Sequence, residues 1–303
     1  MKGKKRNSYT GITKSQRYVP YLFLSPTMVL FAAVFIIPII FVVCTGFTNW
    51  NMLDPSKGIK FVGLRNYINL LKDPNVWNSL KVTFLFTIIV VPLNIAMGIA
   101  LALTVDSMKR GKKLVETILL IPMMVASVSV MLTFRFMFEP TYGIINKLLA
   151  VVGISGPGWF ASTKTALLTV VIVELWKQVP FAYLMMYASL QTLPTEPFEA
   201  ARVDGGSSWQ IFRYITVPSL KPSIYVLLIV RIMDTIRTFD NIYVLTKGGP
   251  GNSTKTIQYI CYELSFQSFY VGKGSALAMI IVIIILITGI GLISAMNKIN
   301  REL

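Results

Sequence analysis

The sequence predicts an all-α polytopic membrane protein with six transmembrane helices and both termini in the cytoplasm. Three observations carry this. Of 303 residues, 54% are hydrophobic and only 14% charged, where a soluble domain carries about a quarter charged. The apolar residues gather in long runs, and the mean hydropathy is +0.64. Lysine and arginine then concentrate on alternate connections between those runs.

A helix needs about 20 apolar residues to cross a bilayer. The first run, 21–46, is too long for a cleaved leader and lacks a small-residue cleavage site, so it is expected to be an anchor helix. The others are 82–105, 114–138, 165–189, 223–246 and 273–296. Pro122 interrupts the third. Glu174, Trp176, Lys177, Gln178 and Pro180 interrupt the fourth. The fifth carries Arg231, Asp234, Arg237 and Asp240.

Orientation follows from the cations. A basic tail, residues 1–20, holds Lys2, Lys4, Lys5, Arg6, Lys14 and Arg17 without an acid. Lys109, Arg110, Lys112 and Lys113 crowd the short connection between spans two and three, and Lys298 and Arg301 follow span six. The positive-inside rule places all of these in the cytoplasm. Lys57, Lys60, Arg65 and Lys72 in the first outer loop weaken that bias without reversing it. The expected organisation is this tail followed by a six-helix domain over 21–303, with its longest cytoplasmic connection at 190–222.

Composition also excludes functions. Net charge +16 suits insertion topology and anionic lipid, and its distribution does not suit a phosphate-binding face, so no nucleic-acid partner is expected. There is no histidine, which removes histidine catalysis and histidine metal sites. Cys44 and Cys261 are too few for a zinc site. A disulfide between them is conceivable, and two free buried thiols are the expectation. No cofactor, metal or catalytic residue is expected.

The connection 190–222 reads as two short helices. One starts near Thr195 or Glu196, tolerates Pro197 in its first turn, and stops at Gly205-Gly206. The second opens on a Ser207/Gln210 capping box and is expected to end at Pro218. A helix of about nine residues is not stable alone and must pack on something. Ala200 and Ala201, with Gly205, allow close approach of another surface. Phe198 offers an apolar anchor and Glu199 a charge, the parts of a helix-in-groove docking site. The competing reading is an amphipathic helix lying on lipid, against which Glu196, Glu199 and Asp204 argue.

Glu199-Ala200-Ala201, Gly205, Ile215 and Pro218, at these spacings, resemble the EAA loop of binding-protein-dependent ABC importer permeases. The fuller stretch EAARVDGG…FRYITVPSLKP is similar to the carbohydrate branch, that of maltose and glycerol-phosphate permeases. Gly206 stands where that branch usually has alanine, and Val217 where leucine is commoner. FVGLRNYINLL (61–71), FEPTYGIINKLL (138–149) and NIYVLTKGGPGNST (241–254) extend the resemblance over most of the chain. It implies a type I ABC importer permease fold in the bacterial inner membrane, with 190–222 as an ATPase-coupling loop that includes Phe198, Asp204 and Gly206. It further implies two copies of an ABC ATPase subunit, a second related permease forming a heterodimer, and an extracellular binding protein delivering a sugar or oligosaccharide. No GxxxxGK[ST] loop occurs in this chain, so the ATPase is expected on another. A permease for a non-sugar solute is the alternative within the class. An ion-driven secondary transporter would show inverted repeats with paired broken helices, which are not apparent.

Ionisable groups inside a membrane face partners or water. At 100° per residue Arg231, Asp234, Thr235, Thr238 and Asn241 share one broad face of span five, while Arg237 and Asp240 wind away. Arg231–Asp234 and Arg237–Asp240 are spaced to pair. Two readings stay open: a solute path that hydrogen-bonds hydroxyl groups, or internal pairing that seals helix contacts. On span four, Glu174, Trp176 and Gln178 are the corresponding candidates, with Trp176 able to present a ring face to a sugar.

Overall fold

The computed structural model describes residues 14–302, with side-chain surroundings for 21–296. The side chains of both basic tails therefore lie outside the described residues. Among those described, helices account for nearly all regular structure, and the one β-bridge joins Thr48 to Phe61. Five helices are long and apolar enough to span a bilayer: Tyr21–Gly46, Pro74–Asp106, Ala166–Gln191, Ser208–Ile236 and Val271–Met296. Lys112–Met124 and Ser127–Met137 are together apolar and long enough to cross as well, counting as a sixth when the pair is taken as one span, and they meet at 94°. The third run, 114–138, in which Pro122 marks an interruption, is thus sharply broken. The break falls at Val125-Ala126, whose backbone is extended, just after Pro122.

The fifth span differs most from the expected 223–246. It starts well ahead of that, at Ser208, and runs through Pro218 instead of ending there. A π-helical turn at Phe212–Thr216 explains this. Proline lacks an N–H and its ring collides with the carbonyl four residues before, here that of Tyr214. Widening the turn around Tyr214 relieves both conflicts without breaking the helix. The first span repeats the device, with a π turn at Ala32–Ile36 ahead of Pro38. At its other end the fifth span stops at Ile236, and Asp240–Leu245 forms a separate short helix.

The second and fourth spans form the most extensive helix pair. Their approach is close because Gly98 faces Ala182: a Cβ on Gly98 would sit 2.7 Å from the Ala182 methyl. Lipid offers helices little hydrophobic incentive to associate, so such small-residue contacts let dispersion hold them. Val91, Ile95, Ala102, Tyr183, Met186 and Leu227 pack around this crossing. A second core joins the sixth span to Ile236 and Ile257 through Leu277 and Ile281, and a third joins Phe86, Val130, Met131, Val170 and Ile242. By contrast the first span buries none of its most apolar stretch within the chain, as a helix facing lipid or another subunit would.

Alternate connections share a membrane face. Gln191 donates to Asp106 at 2.6 Å, and Lys112 lies over the Tyr187 ring. These contacts bring the 107–111 turn beside the loop after span four. At the other face Met52 N donates to Phe269 O and Gly272 N to Trp50 O, joining the first loop to the start of span six.

Candidate functional site

Glu174 lies about 12 Å along its helix axis from Ala166 and about 25 Å from Gln191, at 1.5 Å per residue. It is buried there, so its charge requires compensation. Arg231 of the fifth span supplies it: Nη2 donates to Glu174 Oε1 at 2.8 Å, with the Arg231 side chain 0% exposed. Asn241 Nδ2 donates to the other carboxylate oxygen. One carboxylate thus ties the fourth span, the fifth span and the short helix beyond it. Arg231 Nη1 also lies 3.6 Å from Asp234, matching the expected pair, but its main partner sits on a different span, far away in sequence.

Beside this buried pair opens a recess of about 420 Å³, lined by Glu174, Lys177, Gln178, Asp234, Arg237, Thr238, Phe239, Asp240 and Asn241. The helical-face argument for span five holds only to Ile236. Beyond it the chain turns, and that turn swings Arg237 and Asp240 into the recess instead of away from it. Arg237 pairs with Asp234 at 3.1 Å rather than with Asp240. Thr238 and Asn241 reach the recess as well, through the break and not along a continuous face. The polar residues divide: Arg231 is sealed inside in an ion pair, while Asp234, Thr238 and Gln178 line the recess.

Trp176 is not part of it. A step of two residues is more than half a turn of helix, so Trp176 points away from Glu174 and instead meets Phe134 edge-on at 5.1 Å. The ring at the recess is Phe239, backed by Tyr243, Tyr259 and Tyr262. Lys177, three residues from Glu174 on a neighbouring position of the helix surface, was discoverable by that spacing. Its Nζ contacts Ser127, just past the break in the third span. Phe239 carried no sequence signal, and Asp240 was marked only as an intramembrane charge that winds away, because the break that aims both into the recess lies inside an apolar segment. The recess combines fixed acceptors, fixed donors and an aromatic face, which is chemistry for holding a hydroxyl-rich solute without reacting with it.

At the opposite end of the same two spans lies the loop 192–207. Helix Glu196–Val203 starts after Thr195 with Pro197 in its first turn. It ends as expected at Gly205, which takes φ +79. Gly206 N donates to Ala201 O at 2.8 Å and Gly205 N to Arg202 O at 3.1 Å, the paired bonds of a Schellman stop. The Ser207/Gln210 capping box is present. None of the helix residues is buried, and Val203 is 88% exposed. Glu199 and Ala200 face outward, with Phe198 and Ala201 half covered. Trp209 and Phe212 meet with tilted rings at 5.4 Å beside it, Ile215 is half covered one turn further on, and Pro218 lies within the helix that follows.

Residues 94–299 match the family described as the binding-protein-dependent transport system inner membrane component. The chain belongs to that family. The match takes in both the loop and the recess. This inner-membrane component is 37% identical over 226 residues to the trehalose/maltose transport system permease protein MalF of Thermococcus litoralis, covering 75% of this chain and 76% of that one. It is 34% identical over 274 residues to the trehalose transport system permease protein SugA of Mycobacterium tuberculosis, covering 90% and 87%. Its fold is that of a chain in a bacterial ABC transporter involved in the import of the acidic polysaccharide alginate: TM-score 0.82 at 21% identity, over 94% of this chain and 97% of that one. All of this agrees with the family and fold anticipated from the EAA spacing. Both cysteines are free, Cys261 buried as expected and Cys44 exposed near the end of span one.

Proposed function

We propose that this component forms half of the membrane pathway of an ATP-driven importer for a sugar or oligosaccharide. One observation carries the reading. The exposed helix Glu196–Val203 directly joins the two spans that line the recess, the fourth at Glu174–Gln178 and the fifth at its far end. Displacing that helix therefore moves both walls of the recess as levers. In this account a separate ATPase subunit, present in two copies, receives the helix in a cleft. ATP-driven closure of the ATPase pair shifts the helix, and the pathway alternates between inward-facing and outward-facing states. The chain itself carries no ATPase activity.

The small surface of Ala200 and Ala201 supports close docking, Glu199 supports pairing with a basic partner, and the Schellman stop holds the helix at a defined angle. Both termini and the loop are assigned to the cytoplasmic side of a bacterial inner membrane from the cation distribution. The remaining wall of the pathway comes from a second, related permease, and an extracellular binding protein delivers the solute. Sugar is favoured over other solutes by the donor and acceptor set around Phe239 and by the relatives named for trehalose and maltose. The test is uptake of a labelled disaccharide panel by vesicles holding the complete transporter, with and without Glu199→Ala plus Ala201→Leu. ATP-dependent uptake lost in the variant supports the reading; uptake that ignores ATP, or survives the substitutions, rejects it.

A further inference from the structure

The first outer loop carries Lys57, Lys60, Arg65 and Lys72 on the face where the charge rule disfavours cations, and transport through the recess gives them no role. Lys57, Arg65 and Lys273 line a separate recess of about 290 Å³, together with Asn69 and the rings of Trp50 and Tyr270. No acidic side chain lines it. Lys57 is partnered by Asp54 at 2.5 Å, whereas Arg65 and Lys273 have no carboxylate partner among the described residues. Lys273 lies 5.0 Å over the Tyr270 ring.

The depth of the recess identifies its ligand. Span one ends at Gly46 and span six begins at Val271, so Trp50, Tyr270 and Lys273 of the recess stand within a few residues of those ends, where spans of this length meet the headgroups. The loop is built firmly onto those ends: Asn66 Nδ2 donates to Gly46 O at 3.0 Å and to Thr48 O at 2.7 Å, and Gly272 N donates to Trp50 O at 2.9 Å. Tryptophan and tyrosine at such a depth are interfacial anchors. Phe61, 80% exposed, and Met52, Leu53 and Leu64 present apolar side chains on the same loop, as a surface dipping into acyl chains would. Guanidinium and ammonium groups over such a belt match a phosphate monoanion.

We propose that this recess holds the phosphate of an anionic phospholipid in the leaflet opposite the loop 192–207, anchoring the outer ends of spans one and six. The full chain, purified with its partner subunits from membranes containing phosphatidylglycerol, tests this by native mass spectrometry. Retained phosphatidylglycerol is expected to fall about tenfold or more in Arg65→Gln/Lys273→Gln, and to stay unchanged in Lys72→Gln, whose cation lies outside the recess. A brominated phosphatidylglycerol should quench wild-type fluorescence by an amount that disappears in Trp50→Phe, a variant that keeps all three cations. Equal lipid retention in the wild type and the double variant overturns the proposal. So does displacement by inorganic phosphate, which marks a soluble-anion site, or loss of binding-protein affinity with lipid retention intact, which marks a protein contact. Uptake measured on the same preparations separates failure here from failure of the transport reading.

Discussion

The cluster around Arg231 and the loop around Glu199 both hold charges on or between spans four and five, and they treat those charges in opposite ways. Arg231 is wholly buried, and its carboxylate partner is supplied by the same chain. Glu199 is exposed on a helix with no buried residue and no ionic partner among the described residues. A charge inside a membrane must be compensated where it lies, or the fold fails. A charge on a solvated loop costs little and can wait for another molecule. The first region therefore holds the fold together, and the second is free to be an interface. Substitutions in the two should separate stability from transport.

The buried pair should respond most strongly. Glu174→Ala leaves Arg231 without its main partner and should destabilise the protein by about 3–5 kcal/mol, seen as a marked drop in thermal unfolding temperature in detergent. Replacing both partners, Glu174→Leu with Arg231→Met, should recover most of that loss, because an apolar pair needs no compensation. If the single and double variants unfold alike, the pair is not what joins the two spans.

Next comes Gly98, where spans two and four touch. Gly98→Val forces side-chain atoms into the Ala182 backbone, 2.8 Å from where a Cβ would be. Overpacking of this kind should cost about 1–3 kcal/mol, read by the same unfolding assay. Gly205→Ala follows, since φ +79 strains any L side chain by about 1–2 kcal/mol. That strain is local to the loop. It should lower uptake while leaving the unfolding temperature of the spans nearly in place, whereas a large fall in unfolding temperature would mean the loop belongs to the core. Trp176→Ala should do least: the ring faces Phe134 and not the recess, so solute affinity should be unchanged. A weakened affinity in a transport competition assay would return Trp176 to the path.

How much of this was legible in the sequence depends on whether the cause was local. Hydropathy found part of each of the five long apolar helices, because apolar length is a property of a single segment. The stop at Gly205 and the Ser207/Gln210 cap were legible for the same reason: both are settled within a few residues. Breaks inside apolar segments were less so. Pro122 marked the interruption of the third run without giving its angle, while the stop at Ile236 has no local mark and an average over a window hides it. Treating span five as one continuous helix then misdirects Arg237 and Asp240. Pro218 misleads differently, since a proline that normally ends a helix is absorbed by a π turn. The Arg231–Glu174 pair was legible only as a cost needing a partner; which partner depended on a contact between separate spans. Trp176 could have been set aside at the outset, because its spacing from Glu174 puts it on the far side of the helix.

Transport in this reading turns on Glu196–Val203 carrying motion from a separate ATPase to spans four and five. The most direct measurement is ATP hydrolysis and solute uptake by the reconstituted transporter carrying Glu199→Ala with Ala201→Leu, alongside its unfolding temperature. Coupling through this helix predicts uptake lost, hydrolysis no longer stimulated by loaded binding protein, and an unfolding temperature unchanged, as befits exposed substitutions. Uptake and stimulated hydrolysis at wild-type levels in that variant would contradict it.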